Sequence, residues 1–274
     1  MSPEKKNNNK TEEVSVQSTI NEERKYMIWT NKDFYLRESY KTLRSNVLFS
    51  MADHEGCHII AVTSAGSSEG KSITTVNLAM SFADTAARVL LIDCDLRKPK
   101  TSRLLNLAAD KGLTDVLVRR TSLSEAILRP SPNRPLWVLS AGRIPPNPSE
   151  LLNSSAMKAL LDKLRERYDY IILDTPPVEV VTDAMVLSKV ADGYIFVVRA
   201  NQSDRRAVRH SLDQLAYAGA NVLGTVLNGS AEVGGGYGYK RYGYRRYGYR
   251  YGYSRYGYGR YGYGYQQKND SSKG

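Results

Sequence analysis

The sequence predicts an α/β fold, a doubly wound and mostly parallel sheet with helices on both faces and a disordered tail at each end. Three observations predict it. Short apolar runs alternate with helix-compatible stretches along the middle of the chain, the order that lays crossover helices over parallel strands. Two of these runs end in aspartate, Leu90-Leu91-Ile92-Asp93 and Ile171-Ile172-Leu173-Asp174. Carboxylates there fall on the edge where open α/β sheets bind ligands. The third observation is the stretch from Ile59 to Ser72, an apolar run, then a small-residue loop, then a segment able to be helical to about Ala87.

That third stretch reads as the P-loop of a nucleoside triphosphatase, with Ala65-Gly66-Ser67-Ser68-Glu69-Gly70-Lys71-Ser72 following a buried strand. Gly66 and Gly70 leave room for backbone N–H groups to surround phosphate oxygens. Lys71 supplies a point charge for the β/γ-phosphates, Ser72 offers a hydroxyl to Mg²⁺, and the positive end of the new helix faces the same anion. The cofactor-binding candidates are therefore Gly66, Ser67, Ser68, Glu69, Gly70, Lys71, Ser72 and Ile73. An ordinary serine-rich loop lacks this combination of strand, spacing, Lys and Ser. The motif's first Gly is replaced by Ala65, whose methyl fits the tight turn only if that residue keeps a negative φ.

Length bounds the organisation. The 274 residues hold one α/β domain plus tails. Residues 1–25 are Lys, Asn, Glu and Ser with few apolar positions and are expected to be disordered; residues 26–230 form the P-loop domain; residues 231–274 are a second disordered segment. No signal peptide or membrane-spanning run is present, so the chain is expected in the cytoplasm, with any membrane location reached through a partner. The formal charge is +11, of which +7 lies beyond Ser230 and +4 in residues 1–230. The basic character thus belongs to the tail. Cys57 precedes its strand and Cys94 follows the next one, which puts them at opposite sheet ends roughly 15 Å apart, too far for a bridge.

In chain order, Asp33 is a plausible N-cap for a helix over Phe34–Met51, with Leu36, Tyr40, Leu43, Val47 and Met51 at helical spacing. Its other face carries Glu38, Lys41 and Arg44, read on physics alone as a solvated face with a local Glu38–Lys41 pair. After the P-loop unit comes the Asp93-Cys94-Asp95 strand end, able to bind Mg²⁺ or accept a proton. A polar helical stretch to about Leu128 follows, then a strand at Leu136–Ser140. A proline-stiffened turn over Ile144–Leu152 leads into a helix to about Tyr168, with Asn147 or Ser149 available to cap it. Tyr170–Pro177 repeats the apolar-run-then-Asp pattern and fits a Walker B carboxylate at Asp174. Gly193–Arg199 and Asn221–Leu227 are two further strands around a helix of about 15 residues. Asn228, just past the last strand, is a weak candidate for contact with the nucleotide base.

With the P-loop, Leu91-Ile92-Asp93-Cys94-Asp95-Leu96-Arg97-Lys98-Pro99 and Asp174-Thr175-Pro176-Pro177 in that order, the chain resembles the bacterial tyrosine kinases over about Lys32 to Ser230. These are P-loop enzymes unrelated to the eukaryotic protein-kinase fold. Pro145-Pro146-Asn147-Pro148-Ser149-Glu150-Leu151-Leu152 is similar to a segment typical of that family. The resemblance makes Lys71 and Ser72 the Walker A residues, Asp93 and Asp95 the Walker A-prime pair and Asp174 the Walker B acid. Catalytic roles go to Lys71, Asp93, Asp95 and Asp174 and metal contact to Ser72, Asp93 and Asp174, with ATP and Mg²⁺ as cofactors. Asp93 becomes the acceptor of the tyrosine hydroxyl proton. Glu38-Ser39-Tyr40-Lys41-Thr42-Leu43-Arg44 looks like the family's Glu-x-x-Arg-x-x-Arg self-association motif for ring-shaped oligomers, with Lys41 in place of the middle guanidinium. Also implied are a separate membrane-spanning activator of the polysaccharide co-polymerase type, which would hold the chain at the inner face of the cell membrane, a cognate tyrosine phosphatase, and control of capsule or exopolysaccharide synthesis.

The tail carries the expected acceptors: Tyr237, Tyr239, Tyr242, Tyr244, Tyr247, Tyr249, Tyr251, Tyr253, Tyr256, Tyr258, Tyr261, Tyr263 and Tyr265, thirteen tyrosines within 29 residues, interleaved with Gly and Arg. Gly abundance and the lack of aliphatic residues argue against a fold of its own. As a coil its ends average roughly 30 Å apart, enough to reach a neighbouring subunit. About four or five phosphotyrosines would cancel its charge, a graded electrostatic switch. Other protein substrates are compatible with this reading. Two other functions fit parts of the sequence. A Min- or Par-type positioning ATPase shares the ordered motifs but usually carries a Lys early in the P-loop, which is absent here. A nucleic-acid-binding module would use the Arg/Gly/Tyr tail by charge and stacking, but it leaves the nucleotide site unexplained.

Overall fold

The structure, a computed structural model, describes residues 20–53 and 55–230. The expected disorder of residues 1–19 and 231–274, and all thirteen tail tyrosines, lie outside the described residues. Seven strands form one sheet in the order β3-β4-β2-β5-β1-β6-β7: β1 His58–Ser64, β2 Val89–Asp93, β3 Ile127–Leu128, β4 Leu136–Leu139, β5 Tyr170–Asp174, β6 Gly193–Arg199 and β7 Val222–Asn228. Every pairing is parallel except β3 with β4. The doubly wound expectation holds, and the period-two strand geometry explains it. Along β1, Ile59 and Ala61 pack on one face while Ile60 and Val62 pack on the other.

The face carrying Ile60 and Val62 is covered by α1 (Phe34–Ser50) and α2 (Lys71–Ala83), with Val47, Val76, Met80 and Phe82 packed against Ile60, Leu91 and Ile172. Opposite them α3 (Ser155–Arg165) and α4 (Arg205–Tyr217) bring Met157, Leu161, Leu164 and Leu215 onto Ile59, Leu90 and Phe196. Helix α1 starts as its cap predicts: Asp33 accepts from the N–H groups of Tyr35 and Leu36. Every residue of α2 except Ser72 is buried, so its polar side chains need partners. Asn77 finds them in the N-terminal strap, accepting from Ile28 N–H (2.9 Å) and donating to Tyr26 O (2.8 Å).

Several expectations need correction. The folded body begins before residue 26: Ile20 is 2% exposed, residues 20–24 form a helical turn, and Arg24 Nε donates to Leu104 O (3.0 Å). A lone Ile among polar residues gave no periodic signal, and its burial comes from the distant α2. Helix α2 ends at Ala83, not Ala87, because Ala86 takes a left-handed φ of 64° to turn the chain into β2. The helical stretch to Leu128 is three short helices, Thr101–Leu105, Leu113–Leu117 and Leu123–Ala126, ending in the edge strand β3. The long helix expected to Tyr168 is broken into Pro148–Leu152 and α3, where Ser154 accepts from Met157 N–H (3.2 Å). Neither Asn147 nor Ser149 acts as a side-chain cap: Asn147 donates to Glu150 and Ser149 to Asp183.

Candidate active site

The phosphate loop leaves the C-terminal end of the central strand β1. Ala65 keeps a negative φ and is 1% exposed, so its methyl is absorbed by the core, and the departure from Gly is tolerated. The left-handed positions are Ser68 (φ 63°) and Gly70 (φ 93°). Gly70 is required twice over, since a Cβ there would lie 1.9 Å from Asn228 Nδ2. Glu69, listed by motif among the phosphate-cradling positions, turns its side chain inward. It is 3% exposed, its Oε2 accepts from Gly66 N–H (3.0 Å), and its Oε1 accepts from Ser203 Oγ. The Gly66 amide is therefore spent on the loop itself. Ser203 in turn accepts from Arg199 N–H (2.8 Å), and Gln202 Nε2 reaches Ser67 O (3.4 Å). Asn228 Nδ2 donates to Glu69 O (3.1 Å), so the end of the edge strand β7 braces the loop.

Beside the loop, β2 and β5 place Asp93 and Asp174 in register as neighbours. Both are fully buried. Burial pushes the Asp93 carboxyl up, and the neighbouring Asp174 charge pushes it further. Burial likewise raises Asp174, to about 6, against the opposing pull of Lys71 and of the Ser72 hydroxyl. Asp93 is enclosed by its own chain: Oδ1 accepts from Asp95 N–H (3.1 Å), and Oδ2 from Lys100 N–H (3.2 Å), Thr101 N–H (3.1 Å) and Thr101 Oγ1 (2.7 Å). Asp93, fully buried, is not among the residues that line the cleft, and its Oδ1 carries only one of these four donors. Asp95 does line the cleft, with one oxygen held by Lys98 N–H (2.9 Å). Asp174 is different again. Thr75 Oγ1 lies 3.1 Å from its Oδ1, while Oδ2 is buried with no hydrogen-bond partner. A buried orphan carboxylate oxygen beside Lys71 and Ser72 is what a site built for a hydrated Mg²⁺ would present. The residues fit a Mg·nucleotide.

The remaining walls come from residues to which the motifs assigned no role. Arg97 makes a forked pair with Asp183, Nε at 2.9 Å from Oδ2 and Nη2 at 3.2 Å from Oδ1, and Asp183 also accepts from Ser149. That fork ties the Asp93–Arg97 turn to the proline-rich segment. Lys98, Lys100, Pro176, Pro177, Val180 and Val181 line the cleft together with Ser67, Ser68, Gly70, Lys71, Ser72 and Ile73. Glu23, from the stretch expected to be disordered, lines it as well. Three predicted residues sit elsewhere, on α1: Glu38 and Lys41 pair at 2.7 Å on the exposed face, as expected. Arg44 instead donates to Ser81 O of α2 and so helps seat α1 on the body.

A family profile described as an AAA domain matches residues 57–216. The tyrosine-protein kinase YwqD of Bacillus subtilis is 40% identical over 192 residues, 70% of this chain and 80% of that protein. Tyrosine-protein kinase CpsD of Streptococcus agalactiae serotype Ia is 35% identical over 202 residues, 73% of this chain and 85% of its own length. The crystallised kinase domain of the Escherichia coli tyrosine kinase ETK superposes with a TM-score of 0.68 at 32% identity, covering 71% of this chain and 75% of that one.

Proposed function

The chain belongs to the bacterial tyrosine kinases, and from that premise we propose that it transfers the γ-phosphoryl group of ATP to tyrosines of its own C-terminal tail. The observation that carries this reading is the contact of Asn228 with the phosphate loop. Only two residues separate Asn228 from residue 231, where the tail begins.

Mg·ATP, when bound, supplies the phosphoryl group and a metal that offsets its charge. The chain does the rest by positioning. Ser72 and Asp174, with its unpaired Oδ2, would hold the metal, and Lys71 neutralises charge on the transferred group. Asp93 keeps the Asp95–Thr101 turn in place, and Asp95, on the cleft wall, orients the incoming phenol and takes its proton. An unassisted phenol has a pKa near 10 and is a poor nucleophile, so a carboxylate within reach is chemically useful. Asn228 braces the loop through Nδ2.

Around this core the family likeness supports four further points. They are a ring-like self-assembly through Glu38, Lys41 and Arg44 of α1, with the tail of one copy entering the next; a separate membrane-spanning activator; reversal by a tyrosine phosphatase; and control of capsular or exopolysaccharide synthesis. Among the described residues no helix is long and apolar enough to cross a membrane, so placement at the inner membrane face rests on the activator. A positioning ATPase and a nucleic-acid module are not favoured, because the 40% identical relative is a tyrosine-protein kinase. The test is to incubate the full chain with Mg·ATP and a cytoplasmic activator fragment and to map phosphate by mass spectrometry. Phosphate should appear on tail tyrosines of the parent and be absent from Lys71→Met. Equal labelling of both, or γ-phosphate passing to water alone, overturns the proposal.

A further inference from the structure

The cleft has two ends. At one, Asn228 and Ser203 back the phosphate loop; at the other, the turn from Asp95 to Lys100 faces the N-terminal helical turn that carries Glu23. Lys100 Nζ donates to Glu23 Oε1 (3.0 Å), while Glu23 Oε2 is buried and has no hydrogen-bond partner. An ion pair made only to brace the strap would use that oxygen too, since leaving a buried acceptor unsatisfied is costly. The Glu23 side chain as a whole is 27% exposed and lines the cleft, so a rotation of its carboxylate would offer Oε2 to a cationic donor arriving there. The tail contains such donors in a fixed place: Arg-Tyr-Gly-Tyr occurs five times, beginning at Arg241, Arg246, Arg250, Arg255 and Arg260. In each repeat a guanidinium directly precedes the first tyrosine and a glycine precedes the second.

Resting on the reading of the tail as acceptor, we propose that Glu23 is a specificity-determining residue that binds the arginine preceding the tyrosine to be phosphorylated. Oε2 receives the guanidinium in a charge-assisted hydrogen bond while Lys100 keeps Oε1. Neighbouring side chains of an extended peptide leave on opposite sides, so one peptide sets its guanidinium on the Glu23 wall and its phenol toward Asp95. The consequence is an order of reaction: Tyr242, Tyr247, Tyr251, Tyr256 and Tyr261 are modified ahead of the second tyrosine of each repeat.

The experiment is time-resolved mapping of tail phosphate by mass spectrometry on the full chain with Mg·ATP and the cytoplasmic activator fragment. The early ratio of first-tyrosine to second-tyrosine phosphate should be about fivefold, the ratio equivalent to about 1 kcal/mol for a partly exposed ion pair. It should fall to about one in Glu23→Gln. A second variant, with the five arginines changed to alanine, leaves the folded body untouched and should lose the same bias. Since each ratio is internal to one sample, a general loss of rate in Glu23→Gln does not affect it. Equal early labelling in the parent, or a bias that survives either variant, overturns the role of Glu23. Absence of phosphate from every tail tyrosine of a chain that binds Mg·ATP overturns the acceptor assignment itself.

Discussion

Replacing Asp174 with asparagine should make the metal-free protein more stable while abolishing phosphate transfer. The folded carboxyl is raised from 3.8 to about 6 because it is buried. Ionising it at pH 7.5 therefore costs the native state about 3 kcal/mol, at about 1.4 kcal/mol per pKa unit. The sign follows from the raised value. The native state holds this proton more tightly than the unfolded chain, so the stability is complete below about pH 4 and is lost as pH rises through about 6. Asparagine cannot ionise, and its amide oxygen still faces Thr75 Oγ1. The pull of Lys71 is already contained in that value, so the gain is about 3 kcal/mol, a rise in Tm of about 6–12 °C for a body of this size. Circular-dichroism melts in chelator at pH 7.5 and pH 5 would measure it, with the gap between variant and parent shrinking at pH 5, where the parent is already protonated. The same variant should lose the extra Tm that Mg·ADP gives the parent. A variant less stable than the parent at pH 7.5, or a gap unchanged at pH 5, would refute the claim that metal-free Asp174 is a buried charge held at a cost.

Two further outcomes follow from the same geometry. Gly70→Ala puts a methyl 1.9 Å from Asn228 Nδ2 at a φ of 93°, so Mg·ATP affinity by isothermal titration should fall about tenfold or more, given strain of about 1–3 kcal/mol; an unchanged Kd would mean that the loop adapts without cost. Arg97→Ala strands the fully buried Asp183 without its fork, and the urea midpoint should drop by the equivalent of about 3 kcal/mol. The proline-rich segment from 145 should then exchange amide protons faster than the sheet does.

Local signals in the sequence were legible where chemistry is local. The Asp33 cap, the bounds of β6 and the dependence of Ala65 on a negative φ all follow from a few adjacent residues, and the apolar runs ending in Asp93 and Asp174 located the acidic edge. What the sequence could not display is pairing across distance. Arg97 and Asp183 are 86 residues apart and Lys100 and Glu23 are 77 apart, so neither partner announces the other. Asp93 and Asp95 differ in nothing but their place in one turn, and only the folded turn reveals that Thr101 and Lys100 occupy the first and leave the second on the cleft. Glu69 sits within a phosphate-binding motif, yet its carboxylate is consumed by the Gly66 amide and Ser203. The break between Leu152 and Ser155 was masked because helical spacing continues across it.

The bracing of the phosphate loop by the final residue of β7 has a kinetic meaning. A substrate leashed at that point never has to be found by diffusion: the tether alone supplies a local concentration in the millimolar range. On the proposal above, tight capture is a handicap, since the tail carries thirteen tyrosines. A cleft with a single proposed carboxylate to grip each arginine suits a queue, in which every visitor is held briefly and replaced by the next.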